Sequence, residues 1–183
     1  MVVVIIVVAL IVLLGLIFVL IRNGIIGSRN RVDEAWSGID VQLKRRHDLV
    51  PNLVETVKGY ATHERGTFEA VTKARAAAMQ ANGPAEASAA EGMLSNALGG
   101  LRVVAEQYPE LRAAPSYQQL MAELSELEDQ IQAARRIFNA NVNAYNTRIQ
   151  LFPNSIVAGS KFTPRELFQL DSPAERAVPA VAF

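Results

Sequence analysis

The sequence predicts an all-α protein: an N-terminal transmembrane helix, then an elongated antiparallel bundle of three long helices plus a short C-terminal helix. Residues 2–21 are an uninterrupted apolar run. Beyond it, apolar residues recur every three or four positions over long stretches, as on one face of a helix, and no stretch alternates as a strand does. We therefore predict four segments: a transmembrane anchor (1–22), a juxtamembrane joint (23–29), a helical bundle (30–170) and a flexible tail (171–183).

The apolar run has the length and composition of a membrane span. Twenty helical residues at about 1.5 Å each cover about 30 Å, which is the hydrocarbon thickness of a bilayer. A cleaved signal peptide would begin with basic residues and end at a site of small residues, whereas here Met1 leads straight into the run and Arg22 follows it. We expect an uncleaved single-pass anchor that contacts the lipid bilayer through Val2–Ile21.

Basic residues flank the run on one side only. Arg22, Arg29 and Arg31 follow it, and no Lys or Arg precedes it. The positive-inside rule then places the N-terminus outside and the bundle in the cytoplasm, with the span in the cell (inner) membrane.

Proline, glycine and asparagine positions divide the remaining chain into helices. The third predicted helix is the most regular, since its apolar residues alternate steps of three and four over five heptads, as in a coiled coil. The expected elements are a first helix from about Asn30 to Ala81, a second from about Pro84 to Gln107, a third over 117–152, a loop over 153–163 and a short helix from Pro164 to Leu170. The first helix is longer than its neighbours, so part of its apolar stripe should lack a partner, which favours a homo-oligomer.

The stretch RRHDLVPNLV, residues 45–54, places a proline inside the first predicted helix. Proline removes a backbone hydrogen bond and kinks a helix. However, the apolar spacing from Leu43 through Val50 to Val54 continues unchanged across Pro51. We therefore predict a kinked but continuous helix in which the carbonyl of His47 has lost its donor.

Polar residues near Pro51 fall where the apolar stripe expects hydrophobic side chains. Buried polar groups need hydrogen-bond partners, and the third helix offers a row of asparagines. Our hypothesis is a structural polar layer that fixes helix register; the alternative is that these side chains face solvent. The proposed layer and kink comprise Arg46, His47, Asp48, Pro51, Asn52, Asn139, Asn141, Asn143 and Asn146.

The sequence offers no arrangement of residues suited to catalysis. His47 and His63 are the only histidines, and 16 residues place them about 160° apart around a helix, too far to share a metal from one face. There is no cysteine, no glycine-rich phosphate loop and no zinc-protease helix pattern. The balance of 18 basic and 18 acidic residues also argues against nucleic-acid binding. We predict no enzymatic activity, no catalytic residue, no cofactor and no metal.

Two motifs make the chain similar to a known family. AWSGIDVQLKRRHDLVPNLVETVKGYATHE (35–64) and EQYPELRAAPSYQQLMAELSELEDQIQAARRIFNANVNAYNTRIQLFPNSIVA (106–158) resemble the LemA family, and the likeness runs from the anchor to about Leu170. The resemblance implies a membrane-anchored helical bundle, usually with an extracytoplasmic N-terminus, and no established biochemical activity. One branch of the family takes part in building magnetosome membranes, so a role in membrane organisation is implied by analogy.

Two functions of different kinds fit these observations. The first is a non-enzymatic membrane-anchored scaffold that self-associates and organises or remodels the membrane. The second is an adaptor or regulator that docks on an unidentified membrane protein such as a protease, transporter or sensor kinase. Its docking surface would be the uncovered part of the first helix or the segment from Pro164 to Leu170.

Overall fold

The computed structural model of the protein describes residues 1–169. Within these residues the chain is helical and has no strand, which confirms the predicted all-α class. The helices are α1 (Val2–Lys58), α2 (Arg65–Gln80), α3 (Gly83–Gln107), α4 (Pro109–Ala113), α5 (Pro115–Gln150) and α6 (Asn154–Ala158).

Helix α1 joins the apolar run to the rest of the protein without a break. Residues 23–29, which we expected to form a juxtamembrane joint, are helical within α1. Tertiary contacts outweigh the low helix propensity of the glycines here: Ile25 is fully buried, and Gly24 lies against the guanidinium of Arg148. The predicted passage of one helix through Pro51 is confirmed.

The first predicted helix does not reach Ala81, because the chain leaves helical geometry between Lys58 and Arg65. The apolar spacing continues through this corner, and for that reason periodicity alone did not reveal it. The corner begins at Gly59, a residue that weakens helices, and the amide of Ala61 still bonds to the carbonyl of Val57 at 2.9 Å. Ala61 is fully buried, so the corner itself forms part of the core.

The chain divides into two compact units, and α1 and α5 each contribute residues to both. One unit contains 1–37 and 136–166. The other contains 38–135 and the described residues from Leu167. The core of the second unit combines the end of α1 with α2, α3, α4 and the start of α5. Its fully buried members include Val57, Val71, Leu94 and Leu111.

The C-terminal part of the described chain differs from the prediction. A short helix, α6, occupies the segment 153–163 that was expected to be a loop. The helix expected from Pro164 is absent over residues 164–169. Asn146 holds this segment instead: its Nδ2 donates to the carbonyl of Arg165 at 2.9 Å, and its Oδ1 accepts from the Arg165 amide at 2.8 Å. In a helix starting at Pro164 the Arg165 carbonyl would accept from the amide of residue 169, so its bond from Asn146 takes the place of a helical bond. The predictions for Leu170 and the tail 171–183 lie outside the described residues.

Candidate functional site

The first functional feature is the exposed apolar part of α1. Its side chains between Val2 and Leu20 are exposed, by 42% at Ile17 and by 70% at Leu20. Among the described residues, α1 is the helix long and apolar enough to cross a membrane, and its most apolar window is not buried by other parts of the protein. Exposure of such a surface to water is unfavourable, so this segment is suited to lipid.

The second feature is a cluster of buried ionic side chains in the unit that contains 38–135. Arg46 and His47 of α1 follow Leu43 by three and four positions, so they share its buried face. Glu91 of α3 lies three positions before Leu94 and is fully buried. The fold therefore brings one carboxylate and two basic side chains together in the interior.

We call these side chains and their polar neighbours the Glu91 cluster (Arg46, His47, Glu91, Ser95 and Glu128). Both carboxylate oxygens of Glu91 accept hydrogen bonds. Arg46 Nη1 donates to Glu91 Oε2 at 3.1 Å, and His47 Nε2 donates to Glu91 Oε1 at 2.5 Å. The Arg46 guanidinium also donates through Nη2 to Ser95 Oγ at 2.9 Å and lies 3.4 Å from Glu128 Oε2. Each charged group is thus compensated, as burial of charge requires.

A further basic residue bonds to the backbone beside the Glu91 cluster. Arg75 Nε in α2 donates to the carbonyl oxygen of His47 at 2.7 Å. This is the carbonyl that the sequence predicts to lack a helical donor, because the residue four positions on is Pro51. Helix α2 therefore satisfies the acceptor that the proline leaves open.

The structure separates the residues of the predicted polar layer. Arg46 and His47 are buried, but their partner is Glu91 rather than a row of asparagines. Asp48 and Asn52 are exposed, and Pro51 is half-buried. The asparagine partners were therefore wrong, because an acidic side chain on α3 meets Arg46 and His47 instead.

The asparagines of α5 belong to the other unit and have other roles. Asn141 donates to the carbonyl of Arg31 at 3.4 Å, a long bond, and Asn146 holds Arg165. Asn143 is exposed, and Asn139 is half-buried. In the same unit, Arg148 Nη1 donates to the Gly24 carbonyl at 2.7 Å and to Ser28 Oγ at 2.8 Å.

Sequence reasoning missed Glu91, Ser95 and Arg75. A signal for Glu91 was present, since it lies four positions after the buried Ala87 and three before Leu94, on the apolar face of α3. A carboxylate at such a position calls for a basic partner. No comparable signal marks Arg75, whose partner is a backbone atom.

Burial also affects two tyrosines outside the apolar run. Burial raises the pKa of Tyr145 above 10.0, an effect that Arg165 and Arg29 partly offset. The Tyr145 hydroxyl donates to the carbonyl of Thr163 at 3.1 Å. Burial likewise raises the pKa of Tyr117, against the smaller opposing effects of Arg102 and Arg112. Both rings favour the neutral phenol in the folded protein.

The chemistry available to the Glu91 cluster is that of a structural ionic network. Each oxygen of the Glu91 carboxylate accepts one bond, from Arg46 or His47, and Ser95 accepts a bond from Arg46. Over residues 1–169, no group of three or more His, Asp or Glu side chains is placed to hold a metal ion. His63 is exposed and lies in the corner between α1 and α2.

The fold and these two features define a class of protein: an all-α chain whose N-terminal helix is suited to a membrane and continues into a helical domain. The sequence profile of the LemA family matches residues 35–183. The chain belongs to the LemA family. The matched range begins after the apolar run and extends past Leu170, so the likeness covers the tail and omits the anchor, contrary to the limits predicted from the motifs.

Curated relatives are similar over most of this chain. Magnetosome proteins MamQ 1 and MamQ 2 of Paramagnetospirillum magneticum are 29% identical over 160 residues, which cover 73% of this chain and 59% of each relative. Protein LemA of Metamycoplasma hominis is 28% identical over 141 residues, covering 75% of this chain and 63% of the relative. The chain therefore spans about three fifths of the length of these relatives. Their names are not those of enzymes.

Proposed function

We propose that the chain is a non-enzymatic, membrane-anchored scaffold that self-associates through its helical domain and organises the membrane around it. The main observation in support of this proposal is the continuity of α1. One helix, Val2–Lys58, contains the exposed apolar run and also supplies core residues such as Val50 and Val57. Because the same helix contains the apolar run and continues into the helical domain, association of helical domains would gather the anchors in the bilayer.

Two further observations support a role without catalysis. The ionic groups of the Glu91 cluster pair with one another in the interior, and both oxygens of Glu91 accept bonds from Arg46 and His47. Two relatives are named as magnetosome proteins, and the resemblance described above implies a role in magnetosome membranes for one branch of the family. By analogy, we assign this chain a role in membrane organisation.

Reconstitution at controlled density tests the proposal. Full-length protein labelled with one fluorophore would be incorporated into vesicles at increasing protein-to-lipid ratio, and photobleaching steps per particle would be counted. We expect particles with several steps and a change in vesicle diameter. Particles that stay monomeric at high density would contradict self-association.

A matched variant separates anchoring from mechanical coupling. Insertion of a short Gly-Ser linker between Arg22 and Asn23 would interrupt α1 and leave the apolar run intact. We expect the variant to remain in the bilayer and to associate, but to lose the change in vesicle diameter.

The adaptor function would be favoured instead if the unaltered chain stayed monomeric and was recovered from cells with one stoichiometric membrane-protein partner.

We also propose that the helical domain lies in the cytoplasm and the N-terminus outside. The basic residues Arg22, Arg29 and Arg31 after the apolar run support this orientation. The chain has no cysteine, so Ser125→Cys at an exposed site of α5 provides a unique label. A membrane-impermeant maleimide should label it only after the cells are broken, and labelling of intact spheroplasts would reverse the orientation.

A further inference from the structure

The end of α5 departs from the burial pattern that its sequence predicts. Phe152 continues the apolar spacing of the helix and should be covered, yet it is 80% exposed. Leu151 beside it is 57% exposed, and Ile156 in α6 is 73% exposed. We call these three residues the α5–α6 patch. Within residues 151–156 they expose three large apolar side chains to water.

The α5–α6 patch lies near the point where the apolar run of α1 ends. Within this unit α1 and α5 are antiparallel, since Trp36 contacts Phe138, Asn141 bonds to Arg31, and Arg148 bonds to Gly24. Gly24 comes three residues after Ile21, the last residue of the run. Helix α5 continues past Arg148 for two residues to Gln150, about 3 Å toward the run, and Leu151 and Phe152 follow directly.

The backbone beneath the α5–α6 patch is held in place. Asn154 Nδ2 donates to the Arg148 carbonyl at 3.1 Å, and the Ser155 amide donates to the Leu151 carbonyl at 2.9 Å. Ala158 and Phe162, which follow Ile156 in the sequence, are buried. The exposed side chains therefore belong to a hydrogen-bonded segment that buries some of its side chains and exposes large apolar ones. This is the arrangement of a membrane-surface element.

We propose that the α5–α6 patch is a second membrane contact, in which Leu151, Phe152 and Ile156 enter the boundary between headgroups and acyl chains of the leaflet that α1 leaves. The inference rests on the anchoring part of the proposed function, because the end of the span sets the level of the bilayer. Arg22 directly follows the apolar run, and Lys161 lies five residues after Ile156; both are exposed and are suited to anionic headgroups. Proximity to the lipid and apolar character together favour a lipid surface as the occupant.

Depth measurements with spin labels test this contact on the full chain. The absence of cysteine allows three single-site variants: Ile156→Cys in the patch, Leu16→Cys in the apolar run and Ile137→Cys as matched control. Ile137 is 61% exposed on α5, eleven residues before Arg148 and thus about 16 Å farther from the run. Each labelled protein would be reconstituted in vesicles of phosphatidylcholine with phosphatidylglycerol. Collision rates with oxygen, which concentrates in lipid, would be compared with those of a water-soluble nickel chelate.

We expect the ratio of the oxygen collision rate to the nickel collision rate to be several times higher at residue 156 than at residue 137. It should remain below the ratio at residue 16. Equal ratios at 156 and 137, with residue 16 in the hydrocarbon, would overturn the second contact and leave the anchor intact. A label at residue 16 that reports water would overturn the anchor itself and, with it, this inference. A second variant, Phe152→Asp in the Ile156→Cys background, should lower the ratio at residue 156 toward that of the control.

Discussion

The side chain of Arg75 replaces a helical hydrogen bond that Pro51 removes from α1. Arg75 Nε donates to the carbonyl oxygen of His47 at 2.7 Å, and His47 precedes Pro51 by four positions. In a regular helix the amide of residue 51 would occupy this acceptor. The passage of α1 through Pro51 and the position of α2 are thus linked by one bond, which gives the polar stretch around Pro51 a structural role.

Removal of Arg75 should expose this coupling. Arg75→Leu leaves the His47 carbonyl without its donor, so we expect the free energy of unfolding to fall by about 1–3 kcal/mol. Urea unfolding of the full chain in mild detergent, followed by circular dichroism, measures this change. In a Pro51→Ala background the restored amide can donate to His47, so the same substitution should cost less there. An equal loss in both backgrounds would show that the bond from Arg75 does not compensate for the proline.

The Glu91 cluster should show the energetics of a buried ion pair. Glu91→Ala leaves His47 without a carboxylate and Arg46 with only the partly exposed Glu128, and loss of one partner of a buried ion pair costs about 3–5 kcal/mol. Replacement of both partners, Arg46→Met with Glu91→Leu, should cost less than Glu91→Ala alone, because no unpaired charge remains between them. Thermal unfolding in detergent would rank the three proteins. A double variant less stable than Glu91→Ala would contradict this account.

The sequence predicted those parts of the fold that depend on local pattern. Apolar spacing identified α3 and α5 to within a few residues, and it identified the passage of α1 through Pro51. The corner at Gly59 was missed because the apolar spacing runs through it, and a glycine or threonine inside a helix is common enough to be uninformative. The segment after Pro164 was missed because Asn146, which is distant in sequence, takes its backbone bonds.

For the candidate site, the sequence located the residues better than their partners. It predicted that Arg46 or His47 falls where the apolar stripe expects a hydrophobic residue, and both are buried. The sequence analysis paired Arg46 and His47 with asparagines because it took the first and third predicted helices as neighbours. It identified no polar residue on the buried face of α3. The choice between Glu91 and the asparagines depends on which helices surround residue 46, and periodicity within one helix does not contain that information.

Asn146 and Asn141 offer a matched test of the asparagines. Asn146→Ala removes two bonds to the backbone of Arg165, so the Arg165 amide should exchange with solvent markedly faster. Asn141→Ala removes one bond of 3.4 Å to an exposed site and should leave that exchange rate unchanged. Hydrogen exchange with mass spectrometry reports both. Comparable exchange in the two variants would argue against a specific role for Asn146 in holding this segment.

The buried tyrosines predict a loss of stability at alkaline pH. Burial raises the pKa of Tyr145, so the folded state keeps its proton at pH values where the unfolded chain has lost it. This contribution to stability is fully present below about pH 10, which is the pKa of tyrosine in the unfolded chain. It is lost as the pH rises through the raised pKa of the folded state. Tyr145→Phe cannot titrate, so its stability should fall less steeply above pH 10. Tyr117→Phe should act in the same direction, and Tyr60→Phe, at an exposed site, serves as control.

Two glycines of α3 allow the backbone contribution to be isolated from packing. An added Cβ would meet nothing within 4 Å at either Gly83 or Gly99, so side-chain contacts are the same in both cases. Gly99 lies inside the helix, where alanine loses less conformational entropy, and Gly99→Ala should stabilise the protein by about 0.5–1 kcal/mol. Gly83 has a φ of 79°, a conformation that L-residues rarely adopt, so Gly83→Ala should destabilise it by about 1 kcal/mol. Urea unfolding of the two variants should therefore give changes of opposite sign. A loss of stability at residue 99 would contradict this account, because the described residues leave the space beside Gly99 open.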